Sequence, residues 1–369
     1  MKFTCNREAL DKQLQYVSRV VTIRHTLPIL SNLLLETDEE KISISGTDLE
    51  LAIATHVAAD IEQQGSFTVP AKLFQDFIHQ NPDHEITFSL ESSELVCRSE
   101  QVEARIPGID ADEYPALPNV EEKNRIALDT KTFIDALKQT VIACAGDPGR
   151  PVLTGVLCTL DVDALTLAAT DSFRLVERRL PAVAVASPIT ILIPMRTVQE
   201  LIRIIGQVGE QEALALTMSD QQAVFHVSGV ELYSRLLTGT FPKYQAIIPQ
   251  NFVATVPVMT QEFMQSLRLT SIFSQAGISN VMLEVQADGS LTMSSYGTQR
   301  GGAKNTLAAK AEAGFTALKC ALNAKFLLDA CGATGSEQIR LKFSGATSPL
   351  VIETDDTNYL QLVMPIRVD

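Results

Sequence analysis

The apolar residues of the chain recur with two different periods, and segments of the two kinds alternate along the sequence. In three segments, 7–21, 130–145 and 260–273, apolar residues stand three or four positions apart, as Leu10 and Leu14 do in the first. This spacing places the apolar residues on one face of an α-helix. Each of the three segments is therefore predicted to form an amphipathic helix.

A second helix is predicted in each part of the chain, beginning near Lys72, Arg196 and Lys325. The stretches between the helices, such as 41–47 and 222–237, alternate apolar and polar residues and are separated by turn residues. Alternation with period two is typical of strands that bury one face, and short turns between such strands favour antiparallel pairing. Antiparallel sheet is therefore predicted around both sets of helices.

The same order of elements occurs three times. LPILSNLLLE aligns with RPVLTGVLCT so that Pro28 falls on Pro151, 123 residues later, and the Thr47–Asp48 pair falls on Thr170–Asp171 with the same offset. A weaker third copy contains SNVMLEV, LTMSSYG and LNAKFLLDA in the corresponding order. A fixed period over the whole chain is the mark of a repeat architecture.

Three copies of domain size fill the chain, and their predicted boundaries are 1–122, 123–252 and 253–369. The predicted fold class is α+β, with three repeated domains that each consist of two helices backed by antiparallel sheet.

Composition indicates a folded chain and excludes several classes. Hydrophobic residues make up 46% of the 369 residues, no apolar run reaches membrane-spanning length, and the N-terminus lacks a signal-peptide core, so a cytoplasmic protein is expected. The six cysteines are widely spaced and form no Cys-x-x-Cys pair, which argues against zinc sites and disulfides. We expect no metal and no cofactor. The cysteines are Cys5, Cys97, Cys144, Cys158, Cys320 and Cys331.

The net charge of −14 argues against nucleic acid as a partner, but the charges are unevenly distributed. The six predicted helical segments hold ten basic and seven acidic residues, so the helices are near +3 while the remainder is near −17. Two interpretations stay open at this point. The helices could line a surface that faces phosphates, or these could be ordinary solvated faces, and charge alone favours the second.

The motif Thr-Asp-x-x-Arg at 170–174 is the strongest candidate for chemistry, and it has a structural alternative. Asp171 could be drawn as a hydrolytic pair with His226, but the sequence offers no nucleophile in a recognisable setting, and the phosphate-binding loop and the nucleophile elbow are both missing. GDPGRP, at 146–151, is better interpreted as a loop than as a phosphate cradle. A turn within a repeated hairpin explains Thr170 and Asp171 without catalysis.

Several blocks together resemble one known family. MKFT at the start, HTLPILSNLLLE, SGTDLELAI, ATDSFRL, FPKYQAIIP and YLQLVMPIRVD at the end are similar, in order and spacing, to the bacterial DNA polymerase III beta subunits, the replicative sliding clamps. The resemblance implies a non-catalytic processivity factor. It also implies a closed ring of two chains joined head to tail, with twelve helices around a central hole and continuous sheets outside.

The resemblance implies partners as well as a shape. Double-stranded DNA would pass through the ring and be contacted at its phosphates without sequence preference. The replicative polymerase, the clamp loader and other proteins with clamp-binding motifs would dock on the ring. The alternative function is a repeat scaffold that binds only proteins, which would not be retained on circular DNA.

The resemblance further implies a hydrophobic cleft for short peptide motifs between the second and third domains. Leu, Ile, Met and Pro would make an adaptable apolar groove with an Arg at its rim. Ser172-Phe173 replaces the Gly-His of many clamps, the tail extends to Asp369, and the first-copy pair Thr47–Asp48 is expected to be only a turn. Carried over by position, the cleft residues are Leu153, Thr170, Ser172, Phe173, Arg174, Leu175, Pro242, Ile247, Val363, Met364, Pro365, Ile366 and Arg367.

Two further sets of residues follow from the resemblance. The expected contacts to DNA phosphates lie at or beside helix ends and are Arg24, Lys72, Arg150 and Arg196. The expected dimer contact joins a strand edge of the first domain to one of the third. Its residues are Ile272 and Phe273 as apolar plugs, with Ile106 opposite.

Overall fold

A computed structural model of the chain describes residues 1–21, 27–118, 120, 125–183, 185, 187–274, 280–297 and 301–366. These residues form two compact units. The first unit comprises Met1–Lys131 and Gln199–Leu236, and the second comprises Thr132–Val198 and Leu237–Asp369. Each unit therefore contains part of the predicted central repeat, and the domain boundaries at 122/123 and 252/253 stay a prediction.

All six predicted helices are present, two in each predicted repeat. They are α1 (Arg7–Val17), α2 (Ala71–Gln80), α3 (Thr130–Thr140), α4 (Met195–Val208), α5 (Thr260–Ser271) and α6 (Ala324–Thr334). The first helix shows why the boundaries fall where they do. The Asn6 side chain accepts a hydrogen bond from the Ala9 N–H at 3.0 Å, which satisfies a free donor of the first turn. At the other end, the Ser18 hydroxyl donates to the Leu14 carbonyl oxygen, and the helix stops four residues before the predicted end.

The strands pair antiparallel throughout the described chain. In chain order, they are β1 (Lys2–Asn6), β2 (Asn32–Asp38), β3 (Lys41–Thr47), β4 (Leu51–Gln63), β5 (Gly65–Pro70), β6 (Glu85–Glu91), β7 (Glu94–Arg98), β8 (Glu103–Pro107), β9 (Ile126–Leu128), β10 (Gly155–Leu160), β11 (Ala164–Thr170), β12 (Arg174–Pro181), β13 (Ile189–Pro194), β14 (Leu214–Met218), β15 (Gln222–Val227), β16 (Val230–Arg235), β17 (Ala254–Met259), β18 (Asn280–Val285), β19 (Ser290–Gly297), β20 (Gly301–Lys310), β21 (Leu318–Asn323), β22 (Gln338–Phe343), β23 (Leu350–Glu353) and β24 (Tyr359–Val363).

The first unit contains one twelve-stranded sheet that crosses a repeat boundary. Its main path runs β8-β7-β6-β1-β4-β16-β15-β14-β9, so β4 of the first repeat pairs directly with β16 of the central repeat. Helices α1 and α2 pack on one another and bury Leu10, Leu14 and Phe74 completely. The apolar stripe recognised in the sequence is the side of α1 that faces this core.

The second unit repeats this arrangement with an eight-stranded sheet, ordered β13-β10-β11-β12-β24-β23-β22-β17, and a four-stranded sheet, ordered β20-β19-β18-β21. Here β12 of the central repeat pairs with β24 of the third. Helices α5 and α6 cover a core that includes Phe263, Leu267, Leu327 and Phe343. The α+β class with antiparallel sheets is thus confirmed. No helix in the described ranges has the length and apolar character needed to cross a membrane.

Candidate peptide-binding cleft and nucleic-acid contacts

The Thr-Asp motif of the central repeat is a hydrogen-bonded turn between β11 and β12. The Thr170 hydroxyl donates to the Arg174 carbonyl oxygen at 2.7 Å and accepts from the Ser172 N–H at 3.1 Å. Asp171 Oδ1 accepts from the N–H groups of Phe173 and Arg174 at 2.8 and 2.9 Å. These bonds hold Ser172 in the left-handed region at a φ of 77°. Asp and Thr stabilise such turns because their side chains reach the backbone two to four residues on.

The first repeat forms the same turn with the same bonds. Thr47 donates to the Leu51 carbonyl oxygen at 3.2 Å and accepts from the Leu49 N–H, while Asp48 Oδ1 accepts from Glu50 and Leu51. Leu49 has a φ of 76°, which matches Ser172 of the central repeat within a degree. The prediction that Thr47–Asp48 is a repeated turn is confirmed.

The contacts of Asp171 and His226 give no support to a hydrolytic pair. The Asp171 carboxylate accepts two backbone bonds and also the Arg174 Nε–H at 3.0 Å, so its oxygens are fully engaged in the turn. His226 lies 3.0 Å from the Thr217 hydroxyl and 3.3 Å from a Glu231 oxygen. Both residues are held by local partners that belong to the architecture.

Arg174 connects the turn to helix α6 instead of standing free at a rim. Its Nε and Nη1 atoms form ion pairs with Asp171 at 3.0 Å and with Asp329 at 2.7 Å, and its guanidinium lies 4.5 Å from the centre of the Phe326 ring. The side chain is 13% exposed. Sequence reasoning missed Asp329 and Phe326, since a contact across 155 positions leaves no local pattern.

An apolar floor lies beneath this turn. Leu175 is completely buried and packs in a cluster with Tyr244 and Leu362, against which Met364 and Ile248 also pack. The Tyr244 hydroxyl donates to Glu177 Oε2 at 2.6 Å, and burial raises the pKa of this tyrosine. This bond fixes the segment that leads into Ile247 and Ile248.

Leu153 is also buried, and it ends a 3-10 turn, Pro151–Leu153, instead of lying on a strand. The reason is local, because Pro151 cannot donate a backbone hydrogen bond to a neighbouring strand and favours the first turn of a helix. The strand β10 begins two residues later, at Gly155.

Exposed apolar groups surround the floor. Phe173 is 63% exposed and Ile247 is 47% exposed, and Pro242 is exposed as well. Met364 is half-buried, and its N–H donates to the Phe173 carbonyl oxygen at 2.8 Å, which attaches the C-terminal segment to the turn. Val363 is buried, Pro365 and Ile366 are half-buried, and Arg367 lies outside the described residues.

The structure describes three of the four expected DNA contacts. Lys72 and Arg196 are each the second residue of a helix, α2 and α4, and both are exposed. Arg150 is exposed in the loop before Pro151, and its Nη1–H donates to the Ser172 hydroxyl at 3.1 Å, next to the turn described above. Arg24 lies outside the described residues.

The expected dimer residues differ in exposure. Ile272 follows the end of α5 and is 61% exposed, and Phe273 is half-buried. Ile106 is only 2% exposed, because the alternation of β8 turns it inward while Glu103 and Arg105 face out. The expectation that Ile106 lies opposite Ile272 and Phe273 in a dimer stays a prediction, as does the assignment of the edge strand that carries it.

The remaining chemistry-bearing residues are buried or dispersed. All six cysteines are buried free thiols, and burial raises the pKa of each to about 12. Among the described residues, no group of three or more His, Cys, Asp or Glu side chains is arranged to hold a metal ion.

Comparison with known proteins covers the whole chain. Models of the N-terminal, central and C-terminal domains of the DNA polymerase III beta subunit match residues 1–118, 127–243 and 245–367. The beta sliding clamp of Bacillus subtilis is 30% identical and that of Synechocystis sp. is 31% identical, each over 100% of both chains. A crystal structure of the DNA polymerase sliding clamp from Bacillus subtilis superposes with a TM-score of 0.95 at 29% identity, again over 100% of both chains.

These matches, together with the six helices of the described residues, the antiparallel sheets and the repeated Thr-Asp turn, agree with the resemblance seen in the sequence. The chain therefore belongs to the DNA polymerase III beta subunit family, the non-catalytic sliding clamps with a three-domain fold.

Proposed function

We propose that this protein is a processivity factor that encircles duplex DNA and tethers the replicative DNA polymerase to it. The observation that carries the proposal is the match of all three beta subunit domains, in order, over nearly the entire chain. The place of action would be the cytoplasm, with a clamp loader opening the ring around DNA.

A ring requires two chains to join, and two edge strands support such a contact. Strand β8 ends the first unit's sheet and β20 ends the four-stranded sheet, so each has a neighbouring strand on one side only within the described residues. Exposed strand edges of this kind invite pairing with another chain. Antiparallel pairing of β8 with β20 of a second copy is the closure that we propose.

Contact with DNA would be made through phosphates alone. Lys72 and Arg196 at the start of two helices, together with Arg150 and Arg24, would supply the positive charge on a chain that is acidic as a whole. Contacts of this kind are independent of sequence and weaken as salt rises. This combination suits a protein that must move along the duplex.

Partner proteins would dock on the apolar surface beside the Thr-Asp turn of the central repeat. Phe173, Ile247 and Met364 expose apolar atoms above a buried floor, and the turn and the Tyr244–Glu177 bond fix the backbone around them. A fixed, partly exposed apolar groove is what a short peptide motif needs in order to bind with several small anchors.

The deciding experiment is retention on DNA of different topology. The protein, loaded by a clamp loader on nicked circular DNA, should stay bound in gel filtration and should be released when the circle is linearised by a restriction enzyme. A protein-only scaffold would not be retained on the circle, and a protein that remained on the linear product would be an ordinary DNA binder. Either result would refute encirclement.

Ring closure has its own control. Replacing both Ile272 and Phe273 by aspartate should give folded monomers in sedimentation, since two charges would then have to be buried in the contact. These monomers should not be retained on circular DNA. A sedimentation profile that still showed the dimer would remove this surface from the proposed interface.

A further inference from the structure

The turn of the first repeat borders a second pocket, which lies entirely within the first unit. This cavity of about 260 Å³ is lined by the turn residues Leu49 and Glu50, by the segment around Leu117 and by the end of β16 at Arg235. We call it the first-repeat pocket. Nothing in the proposed clamp function uses it.

Strand register makes this pocket the counterpart of the proposed peptide cleft. In the first unit, Leu51 of the strand after the turn lies opposite Ser234 of β16. In the second unit, the corresponding residue Arg174 lies opposite Val363 of β24. Each turn therefore lies beside the last strand of the next repeat. The residue after the paired position on that strand is Arg235 in the first unit and Met364 in the second.

The segment around Leu117, which also lines the pocket, has a counterpart in the second unit. The segment YPALP, beginning at Tyr114, occupies the place that YQAIIP, beginning at Tyr244, has in the second unit. Both tyrosines are buried and bonded through their hydroxyls, Tyr114 to the Asn32 carbonyl oxygen and Tyr244 to Glu177. By this correspondence, Leu117 stands where Ile247 stands in the proposed cleft.

Leu49 is unusual on steric grounds. It is a leucine with a φ of 76°, a conformation in which its Cβ crowds the backbone, at a cost of about 1–2 kcal/mol for an ordinary L-residue. Its side chain is nevertheless 55% exposed, so packing does not offset this strain. Glycine or asparagine would form the same turn with less strain. Strained residues that gain nothing from the fold point to a role outside it.

The pocket also has a polar side, formed by Arg235 and Gln222. Arg235 is exposed, and within the described part of the chain its guanidinium forms no ion pair, although its backbone N–H donates to the Glu50 carbonyl oxygen at 2.8 Å. Gln222 lines the same pocket, and a glutamine side-chain amide can bond a peptide backbone. The pocket therefore offers aliphatic surface at Leu49 and Leu117 beside a cation.

We propose that the first-repeat pocket binds a short extended peptide segment in which an aliphatic side chain is followed by a carboxylate. The aliphatic group would lie against Leu49 and Leu117, and the carboxylate would pair with Arg235. The small volume limits the occupant to about one large side chain and its neighbours. The inference rests on the proposed peptide cleft only in assuming that an extended peptide binds beside such a turn. The residues of the two sites are different and lie in different units.

The test uses the full-length chain with isotope-labelled leucine methyl groups and two probes, N-acetyl-Leu-Asp-amide and N-acetyl-Leu-Asn-amide. The acidic dipeptide should shift the methyl signals of Leu49 and Leu117 in a saturable titration. The neutral dipeptide, which lacks only the charge, should bind about threefold to fivefold more weakly, as expected for an exposed ion pair. Arg235→Gln should make the two dipeptides bind equally.

Two further variants separate the contributions. Leu49→Asn keeps a residue that tolerates the left-handed turn but removes the alkyl group, so it should fold and should weaken the shift of Leu117 for both dipeptides. Glu50→Gln removes the carboxylate at the rim and should strengthen the binding of the acidic dipeptide alone.

The outcomes are distinguishable from those of the proposed cleft because Leu175, in the apolar floor of that cleft, reports on it in the same spectra. Unshifted Leu49 and Leu117 signals would overturn the inference, whatever Leu175 does. Equal binding of the two dipeptides to the unmodified chain would overturn the role of Arg235. A clamp-binding peptide that failed to shift Leu175 would count against the proposed function and leave the first-repeat pocket to be judged by its own signals.

Discussion

Replacing Arg174 by alanine provides the sharpest test of the site, because it distinguishes a role of this side chain in peptide binding from a role in holding the turn. The family resemblance implied that this arginine lies at the rim of the cleft. The contacts change that expectation. The side chain joins Asp171 in the turn to Asp329 and Phe326 on α6, so its loss leaves a carboxylate in the turn without its cationic partner.

The magnitude follows from burial. Arg174 and Asp171 are each 13% exposed and Asp329 is 32% exposed. Removing one partner of a fully buried ion pair costs about 3–5 kcal/mol, and exposed pairs contribute about 1 kcal/mol or less. A mostly buried pair lies between these limits, and the contact with the Phe326 ring adds about 0.5–1 kcal/mol. We therefore expect Arg174→Ala to lower the free energy of unfolding of this region by about 2–4 kcal/mol.

Hydrogen exchange measures this loss at the turn itself. The N–H groups of Phe173 and Arg174 are bonded to the Asp171 carboxylate, so exchange at these two amides should be faster by about 30-fold or more in Arg174→Ala. The matched control is Phe173→Ala, in which a 63% exposed side chain is truncated and the turn is kept. It should leave exchange nearly unchanged while weakening peptide binding. Unchanged exchange in Arg174→Ala would refute the structural role assigned to this arginine.

Three further predictions concern other parts of the molecule. Met364→Ala should weaken a clamp-binding peptide markedly in calorimetric titration and cost less than the 2–5 kcal/mol of a core methionine, since Met364 is only half-buried; undiminished affinity would sink the cleft assignment. The six cysteines should resist a thiol reagent in the native protein and all react after unfolding, because burial both blocks access and raises their pKa to about 12. The hydrogen bond from His226 lowers the pKa of Glu231 in the folded protein. The ionised Glu231 side chain therefore stabilises the fold at pH values above its ordinary pKa of 4.5, and this contribution is lost as the pH falls through the lowered pKa. Glu231→Gln should therefore be less stable than the unmodified protein at pH 7, and the difference should vanish at acid pH in thermal unfolding; a constant difference would contradict this.

Local patterns predicted the elements of this fold well. The 3.6-residue period of segments such as 7–21 and 260–273 identified all the first helices, and the period of two identified the strands, because both patterns record which face of an element is buried. The repeat added information that no single segment carries. It showed that Thr47–Asp48 and Thr170–Asp171 must do the same structural task, and the matching bonds confirm this.

Relations between distant segments could not be predicted in this way. The pairing of Arg174 with Asp329 joins residues 155 positions apart, and neither residue is unusual in its own segment. The inward direction of Ile106 depends on the register of β8 against β7, and shifting a strand by one residue would turn it outward. Exposure of a side chain is thus a property of the assembled sheet, and the local sequence alone does not determine it.

The two Thr-Asp turns also show where function can diverge within a repeat. In both turns, the Thr and Asp side chains are consumed by backbone hydrogen bonds, so they specify the conformation and have little left for a ligand. The two residues that follow are held out from the sheet by that conformation, and they differ completely, being Leu49 and Glu50 in one repeat and Ser172 and Phe173 in the other. The part of the motif that is easiest to recognise is therefore the structural part. In the binding proposed at the two turns, preference would reside in the variable pair and in the strand end beside it, Arg235 or Met364, so substitutions at these positions should alter recognition without altering the fold.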